Sequence, residues 1–375
     1  MQADTTAFQG CVLVSGASFA GLSTAYWMNE LGYRVTVVEV ARGLKRGGTP
    51  VNIGDGTVDI VKRMGLFERI RSNHLPMQGM EFKNADDVTE GRMPSPDTNE
   101  TAGEDCEIER DVLLDIMFDA VKDNVEFIFD NSIKALNETA DHIDVSFKDG
   151  STRPFAFLFG CDGNHSLVRK LQFGEEANYA HFLGQYFSIT IVDKLLIEEN
   201  TTQMYNVPGK AVMLNAYNNK TDIVLCFSSD TEIPYDYRNE QQQRRIISDQ
   251  FSGQGWRLPE LLLAVETSPK FYFDKVCQIK MPSWTKGRVA LVGDAAYCAS
   301  PAAGMGGSLA IVGASALADA FQKHEGNFEM AFRDYNESFR PYIEEVQAKA
   351  VNFLDVLIPR TAEAIRTRNT QTTSW

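Results

Sequence analysis

The chain has no CxxC pair, no two histidines at metal-ligand spacing, no apolar run approaching 18 residues and no excess of basic charge. Each absence removes a class of protein. The six cysteines (Cys11, Cys106, Cys161, Cys226, Cys277, Cys298) are scattered, which fits a reducing cytoplasm and neither a disulfide framework nor a zinc site. Five histidines without a paired spacing give no reason to expect a metal. With no long apolar stretch, no membrane span is expected. Residues Met1–Gly10 lack the basic, then apolar, order of a secretory signal, so the expected location is cytoplasmic. The formal net charge of −15 argues against nucleic acid or anionic lipid as the main partner. No Ser/His/Asp or Cys/His arrangement offers a nucleophile, and there is no internal repeat or low-complexity segment.

What the chain does have is glycine and acid at the ends of apolar runs. Cys11–Val14 reads as a buried strand, Gly16–Gly21 as a turn, Leu22–Leu31 as a helix, and Val35–Val38 as a second strand closing on Glu39. In such a βαβ unit Gly16 permits the tight turn, a small Ser18 lets backbone approach a pyrophosphate, and Gly21 lets helix and strand pack closely. Glu39, 23 residues after Gly16, is placed to accept from ribose hydroxyls. A third apolar run, Phe157–Phe159, closes on Asp162-Gly163, with Ser166 and Arg169 spaced as in the first turn of a helix. A fourth, Val289–Val292, closes on Gly293-Asp294. Pro301, Gly304, Gly306 and Gly307 follow, then a long run of small and apolar residues that reads as a buried helix. An acid at a strand end beside a glycine-rich helix entry suits a ligand with a polyol and an anionic ring edge. In a doubly wound sheet such strand ends converge on one ligand.

Between these motifs, the basic loop Arg42–Gly48 suggests an anion site, and residues 56–72 and 109–121 have helical periodicity. Residues 84–104 read as a loop or hairpin, and 125–160 as a small β-meander returning to the main sheet. From 180 to 280 strand-like segments dominate (Gln185–Val192, Ala211–Ala216, Asp222–Ser228, Phe271–Ile279), with a helical insert over about 239–265. Phe182, Met204, Met213 and Phe227 are candidates for an apolar pocket there. Residues 340–368 form an amphipathic stretch interrupted at Pro359.

The ordered set Gly16–Gly21 with Glu39, Gly160–Arg169, and Gly287–Gly307 resembles the single-component FAD-dependent aromatic hydroxylases of the para-hydroxybenzoate hydroxylase type. The likeness spans nearly the whole chain. Within that family, residues 283–298, 309–314, 45–53 and Glu109-Arg110-Asp111 look most like the tetracycline-inactivating monooxygenases. The resemblance implies an α/β fold: a Rossmann-like FAD-binding domain (1–75, 100–178 and 280–335), an inserted α+β substrate domain with a mostly antiparallel sheet (76–99 and 179–279), and a C-terminal helical segment (336–375). It implies that Gly16, Ser18 and Gly21 hold the pyrophosphate, Glu39 the adenosine ribose, and Arg46, Gly48 and Arg110 the neighbouring parts of FAD. Asp162 and Gly163 match a motif shared between FAD and NAD(P)H. Asp294 would bond the ribityl hydroxyls, and Pro301, Gly304, Met305, Gly306 and Gly307 would run past the flavin ring.

By the same resemblance the activity is an NAD(P)H- and O2-dependent monooxygenation of an aromatic or polyketide-like small molecule, tetracyclines included, through a flavin C4a-hydroperoxide, by a monomer or homodimer. No side chain is assigned as catalytic, because this chemistry needs no protein nucleophile. Ser18 stands for the usual glycine, Tyr297 where a histidine is common, Met305 for a frequent glutamine, and Gly307-Ser308 for an asparagine-containing pair. The alternatives are a flavin halogenase or FAD-dependent dehydrogenase, and a flavin-binding, antibiotic-sequestering protein without turnover. The halogenase pattern W-x-W-x-I-P is absent.

Overall fold

Cys11–Ser15 is a strand, β1, whose residues are buried on both faces, as a continuous apolar run requires in a parallel sheet. The computed structural model describes residues 10–54, 56–94 and 103–372. β1 lies between β2 (Arg34–Val38) and β11 (Phe157–Gly160); β7 (Glu126–Ile128) extends the sheet beyond β2, and β18 (Val289–Leu291) with β17 (Thr285–Lys286) extends it beyond β11. All neighbours are parallel except β17 and β18. The register matters for function. Ser15 pairs with both Val38 and Gly160, and Gly160 with Leu291, so four strands end at one level. Gly16, Glu39, Cys161-Asp162 and Val292-Gly293-Asp294 therefore emerge along a single edge.

Helices α1 (Phe19–Glu30) and α9 (Gly306–Lys323) pack against each other on one side of this sheet. The small residues of α9 make room for an aromatic cluster: a Cβ on Gly313 would fall 1.7 Å from the Tyr297 hydroxyl. Tyr297 is buried with Trp284, Tyr335 and Phe339, and the Tyr335 hydroxyl lies 3.1 Å from both the Tyr297 hydroxyl and the Leu291 carbonyl. The tyrosine at this position thus serves the core.

A seven-stranded sheet has the order β16 (Phe271–Ile279), β12 (Ala180–Val192), β15 (Lys220–Ser228), β14 (Lys210–Tyr217), β13 (Thr201–Val207), β4 (Gly79–Lys83), β5 (Thr89–Pro94). It is antiparallel apart from the β13–β4 pair. Tyr186, Leu214, Leu225, Phe227 and Phe273 face α6 (Glu240–Phe251) and α7 (Leu258–Thr267), forming a separate core. Phe187 and Val276 face the other way, toward Ala302 and Leu354, the latter on α10 (Phe328–Leu357). β8 (Ile133–Glu138), β9 (Ile143–Phe147) and β10 (Thr152–Phe155) make a small antiparallel sheet, and β3 (Val51–Ile53) pairs with β6 (Cys106–Ile108).

Several elements differ from the sequence-based expectation. The 56–72 helix is two, α2 (Gly56–Arg63) and α3 (Phe67–Arg71), separated at Gly65, whose φ of 70° no α-helix continues through. The 239–265 insert is likewise split, at Gly253 with φ 75°. The 84–104 excursion supplies β5, and its residues 95–102 lie outside those described. Within 125–160 only β7 and β11 join the main sheet. The C-terminal stretch breaks as expected around Pro359, between α10 and α11 (Ala362–Thr372).

Candidate active site

The edge where the strands end is stitched by backbone: Gly16 N–H donates to Val38 O (2.8 Å), Cys161 N–H to Ser15 O (2.8 Å) and Val292 N–H to Gly160 O (2.9 Å). Two glycines there have no substitute. Gly16 has φ 102°, and a Cβ on it would lie 2.5 Å from Cys161 O; a Cβ on Gly21 would lie 1.8 Å from Gly16 O. Ser18 stands at the N-terminus of α1 without capping it, and the first turn of α1 carries no acid. The free N–H groups of that turn keep their capacity for an anion. Glu39 accepts from the N–H groups of Ala17 (2.8 Å) and Ala41 (2.9 Å), one on each carboxylate oxygen. Each oxygen retains a lone pair for a further donor.

The arginines separate. Arg110, at the start of α4 (Arg110–Val121), donates to Lys45 O (3.1 Å), Gly47 O (2.8 Å) and Ser18 Oγ (3.3 Å), and lies over the Phe19 ring. A Cβ on Gly48 would come 2.6 Å from its Cδ. Arg46 instead makes a bidentate pair with Asp115 on the outer side of α4, at 2.6 and 2.7 Å, and is half exposed. Arg42 pairs with Asp130. Thus the basic loop is shaped from inside by Arg110, while Arg42 and Arg46 are neutralised by neighbouring acids.

Asp162 accepts from Ser166 Oγ and from Val168 N–H at 3.0 Å, capping α5 (Leu167–Gln172), and burial pushes its carboxyl above the ordinary range. Gly163 has φ 80°, and a Cβ there would meet nothing within 4 Å. Arg169 is fully buried; it donates to Ala295 O (2.9 Å), Asn164 O and Glu176 Oε2 (3.1 Å). It clamps the Asp162 turn to α8 (Asp294–Tyr297), a role its helical spacing alone did not reveal.

His165, in the turn after β11, links the 3-10 turn at Glu176 to the seven-stranded sheet, with Nδ1 3.0 Å from Glu176 and Nε2 3.2 Å from Asp274 on β16. The hydrogen bond to Asp274, then that to Glu176, raises its pKa to about 9. Its charge therefore stabilises the fold in full below the ordinary 6.5, and that contribution is lost as pH rises through about 9. His165→Gln is expected to melt below the parent protein under pH 6.5 and level with it well above pH 9. Thermal denaturation across that range checks this; a gap independent of pH contradicts it.

Asp294 follows Gly293, whose φ of 68° turns the chain out of β18. Burial pushes the Asp294 carboxyl up, and the opposing influence is a hydrogen bond from Cys298, not a cation. Close by, Ser300 is buried with φ 85°, and its hydroxyl has no hydrogen-bond partner among the described residues. Strained backbone and an orphaned polar group in one loop are features of ligand sites. Pro301–Ala303 makes a single 3-10 turn, Gly304 is left-handed (φ 63°), and Met305 precedes α9, whose first turn has no acid. A Cβ on Gly304 or Gly306 would meet nothing within 4 Å, whereas one on Gly307 would lie 2.6 Å from Val51. Ser308 donates to Asn52 O (2.6 Å), tying α9 to β3. The loop is thus held on one side and open on the other. A desolvated carboxylate without a cation, an orphaned hydroxyl and two acid-free helix starts fit a ligand with polyol and anionic parts.

Of the four apolar-pocket candidates, Phe227 and Phe182 pack on the helix side of the seven-stranded sheet and Met204 is buried; Met213 is half-buried. A cavity of about 910 Å³ opens near Glu138, Lys286, Arg288, Phe328 and Arg340, at the opposite end of β18. It holds none of the residues assigned to the cofactor, and its facing charges are of both signs. The strand-end geometry is the better guide to chemistry here. No group of His, Cys, Asp and Glu among the described residues is arranged to hold a metal, and no helix among them is long and apolar enough to cross a membrane.

The profile of the FAD binding domain family matches residues 10–345. The uncharacterized protein Rv1260 of Mycobacterium tuberculosis is 34% identical over 339 residues, 90% of this chain and 91% of its own. A flavin-dependent monooxygenase of an unknown prokaryotic organism is 31% identical over 366 residues, 96% of this chain and 94% of its own. Among solved structures, the tetracycline destructase Tet(51) superposes with a TM-score of 0.85 at 31% identity, covering 97% of this chain and 95% of that one.

Proposed function

We propose, for a chain that belongs to the FAD binding domain family and is an FAD-dependent monooxygenase, that its substrate is a tetracycline-type or similar polyketide-like aromatic molecule and its reductant NAD(P)H. The observation that carries the cofactor site is the half-buried Asp294, whose carboxyl desolvation raises with no cation opposing it, beside the open N-terminus of α9; the substrate class is supported by the likeness to the tetracycline destructase Tet(51). When bound, FAD supplies the redox and oxygen-transfer chemistry. The protein supplies position, charge and exclusion of water.

In this reading Gly16, Ser18 and Gly21 present the N-terminal N–H groups of α1 to the pyrophosphate. Glu39 accepts from the adenosine ribose, and its two backbone bonds fix its orientation. Arg110 holds the 45–48 loop against the cofactor, with Arg46 supporting that loop through Asp115. Asp162 and Gly163 border the cofactor where the reductant approaches. Asp294 accepts from the ribityl hydroxyls. Pro301, Gly304, Met305, Gly306 and Gly307 run past the ring, where the N-terminus of α9 favours negative charge by about 0.3–2 kcal/mol. Residues 1–75, 100–178 and 280–335 are assigned to the cofactor domain, 76–99 and 179–279 to the substrate domain, and 336–375 to a C-terminal helical segment, of which 1–9, 55, 95–102 and 373–375 lie outside the described residues. A cytoplasmic location suits cysteines scattered without a CxxC pair.

The test is a screen for singly oxygenated products across phenols and polyketides, tetracyclines included, with NADPH or NADH. The expected result is nucleotide consumption that rises with one of these classes and yields an oxygenated product. A flavin-bearing protein that oxygenates phenols but no polyketide overturns the substrate assignment.

A further inference from the structure

The seven-stranded sheet turns one face to α6 and α7 and the other toward the 300–307 loop. Directly paired residues of antiparallel strands share a face. Tyr272 pairs with Ile189, Ile189 with Val224, and Val224 with Met213. These four side chains therefore form one transverse row across β16, β12, β15 and β14, about 14 Å long at a strand spacing of about 4.8 Å. The row is on the same face as Phe187, which packs with Ala302 of the glycine-rich loop and whose ring lies 5.6 Å from that of Tyr272.

The row is under-buried for its place. Ile189, Val224 and Met213 are half-buried and Tyr272 is 41% exposed, whereas their neighbours on the helix-facing side, Ser188, Ile223, Leu225 and Leu214, are fully buried. Tyr272 lies on β16, the strand that packs against α8, which begins at Asp294; burial, then Asp274, raises its phenol well above the ordinary pKa. The end of the row that carries Tyr272 is thus the end near Asp294.

Tyr272 is also the polar tip of the row. Its hydroxyl donates to Asp274 Oδ2 at 2.9 Å. Asp274 is 3% exposed and also accepts from the Tyr235 hydroxyl (2.7 Å), the Lys275 N–H (2.8 Å) and His165 (3.2 Å). With its proton committed to a carboxylate that four donors hold in place, the phenol oxygen offers only lone pairs to the cleft. It is an oriented acceptor at the end of an apolar strip.

We infer that this row is the substrate-contacting surface: a flat, largely apolar ring system lies along Ile189, Val224 and Met213, and Tyr272, fixed by Asp274, accepts a hydrogen bond from a phenolic or enolic hydroxyl at the end nearer Asp294. The inference rests on the monooxygenase reading of this cleft. The test titrates 2-hydroxyanthraquinone and 2-methoxyanthraquinone into the flavin-loaded protein, following flavin fluorescence. The parent is expected to prefer the hydroxy compound by up to about tenfold in Kd. Tyr272→Phe removes that preference by weakening the hydroxy compound alone, with flavin content unchanged. Met213→Glu, at a half-buried position, weakens both compounds. An unchanged preference in Tyr272→Phe overturns the inference, as does failure of both compounds to bind a flavin-loaded parent. A parent protein that takes up no flavin contradicts instead the reading on which the inference rests.

Discussion

Asp294→Ala is expected to purify folded and without flavin. The reasoning runs through what the carboxylate does without ligand. It is half-buried, no cation among the described residues offsets its charge, and desolvation raises its pKa. Its ionised form is a cost to the empty fold, so its removal leaves stability at neutral pH unchanged or slightly higher. A bound polyol, by contrast, loses a charged acceptor. Hydrogen bonds to charged groups contribute about 1.5–3 kcal/mol each, so losing two weakens FAD by roughly two to four orders of magnitude in Kd. Visible flavin absorbance of the purified variant, read beside its melting temperature, separates the two effects. Full FAD retention in a folded variant contradicts the ribityl assignment.

Gly21→Ala is expected to damage the fold itself. The added methyl would sit 1.8 Å from Gly16 O and 2.9 Å from Gly16 C, both backbone atoms in a turn that is already pinned by hydrogen bonds to neighbouring strands. Neither atom can move without opening the end of the parallel sheet. Overpacking ordinarily costs about 1–3 kcal/mol, and a clash against fixed backbone belongs at or above that range. The variant should melt several degrees lower or fail to accumulate as soluble protein. Gly306→Ala provides the contrast, since its Cβ meets open space at a helix start. That variant should keep the parent melting temperature while binding flavin more weakly. Equal stability of Gly21→Ala and the parent protein would mean that the Gly16–Gly21 turn is built differently.

Much of this site was legible before any coordinates. The strands around β1 are buried on both faces, so they read as uninterrupted apolar runs, and the turns after them need glycine for steric reasons that composition cannot hide. For the same reason Gly16, Glu39, Asp162 and Asp294 stood out at strand ends. What escaped were features set by long-range contact. β13 reads as half polar because Thr201, Thr202 and Gln203 lie where that strand is only half-buried. Its parallel pairing with β4 joins segments more than a hundred residues apart, which no local pattern encodes. The sequence offered Arg46 and Arg110 alike; what separates their positions is long-range, since Asp115 draws Arg46 outward while Phe19 and Ser18 draw Arg110 inward. Arg169 read as an ordinary helical residue until its contact with Ala295 joined two strand ends. His165, Asp274 and Tyr272 form a network between the turn after β11 and the seven-stranded sheet, and nothing in their spacing announces it.

The most direct test of the central claim is incorporation of isotopically labelled O2. The flavin-loaded protein, supplied with NADPH, a responsive aromatic or polyketide compound and labelled O2, is expected to return product carrying one labelled oxygen atom, with nucleotide consumption falling when the compound is left out. Product oxygen drawn from water, or a protein that oxidises the compound without inserting oxygen, would contradict monooxygenation at the Asp294 cleft.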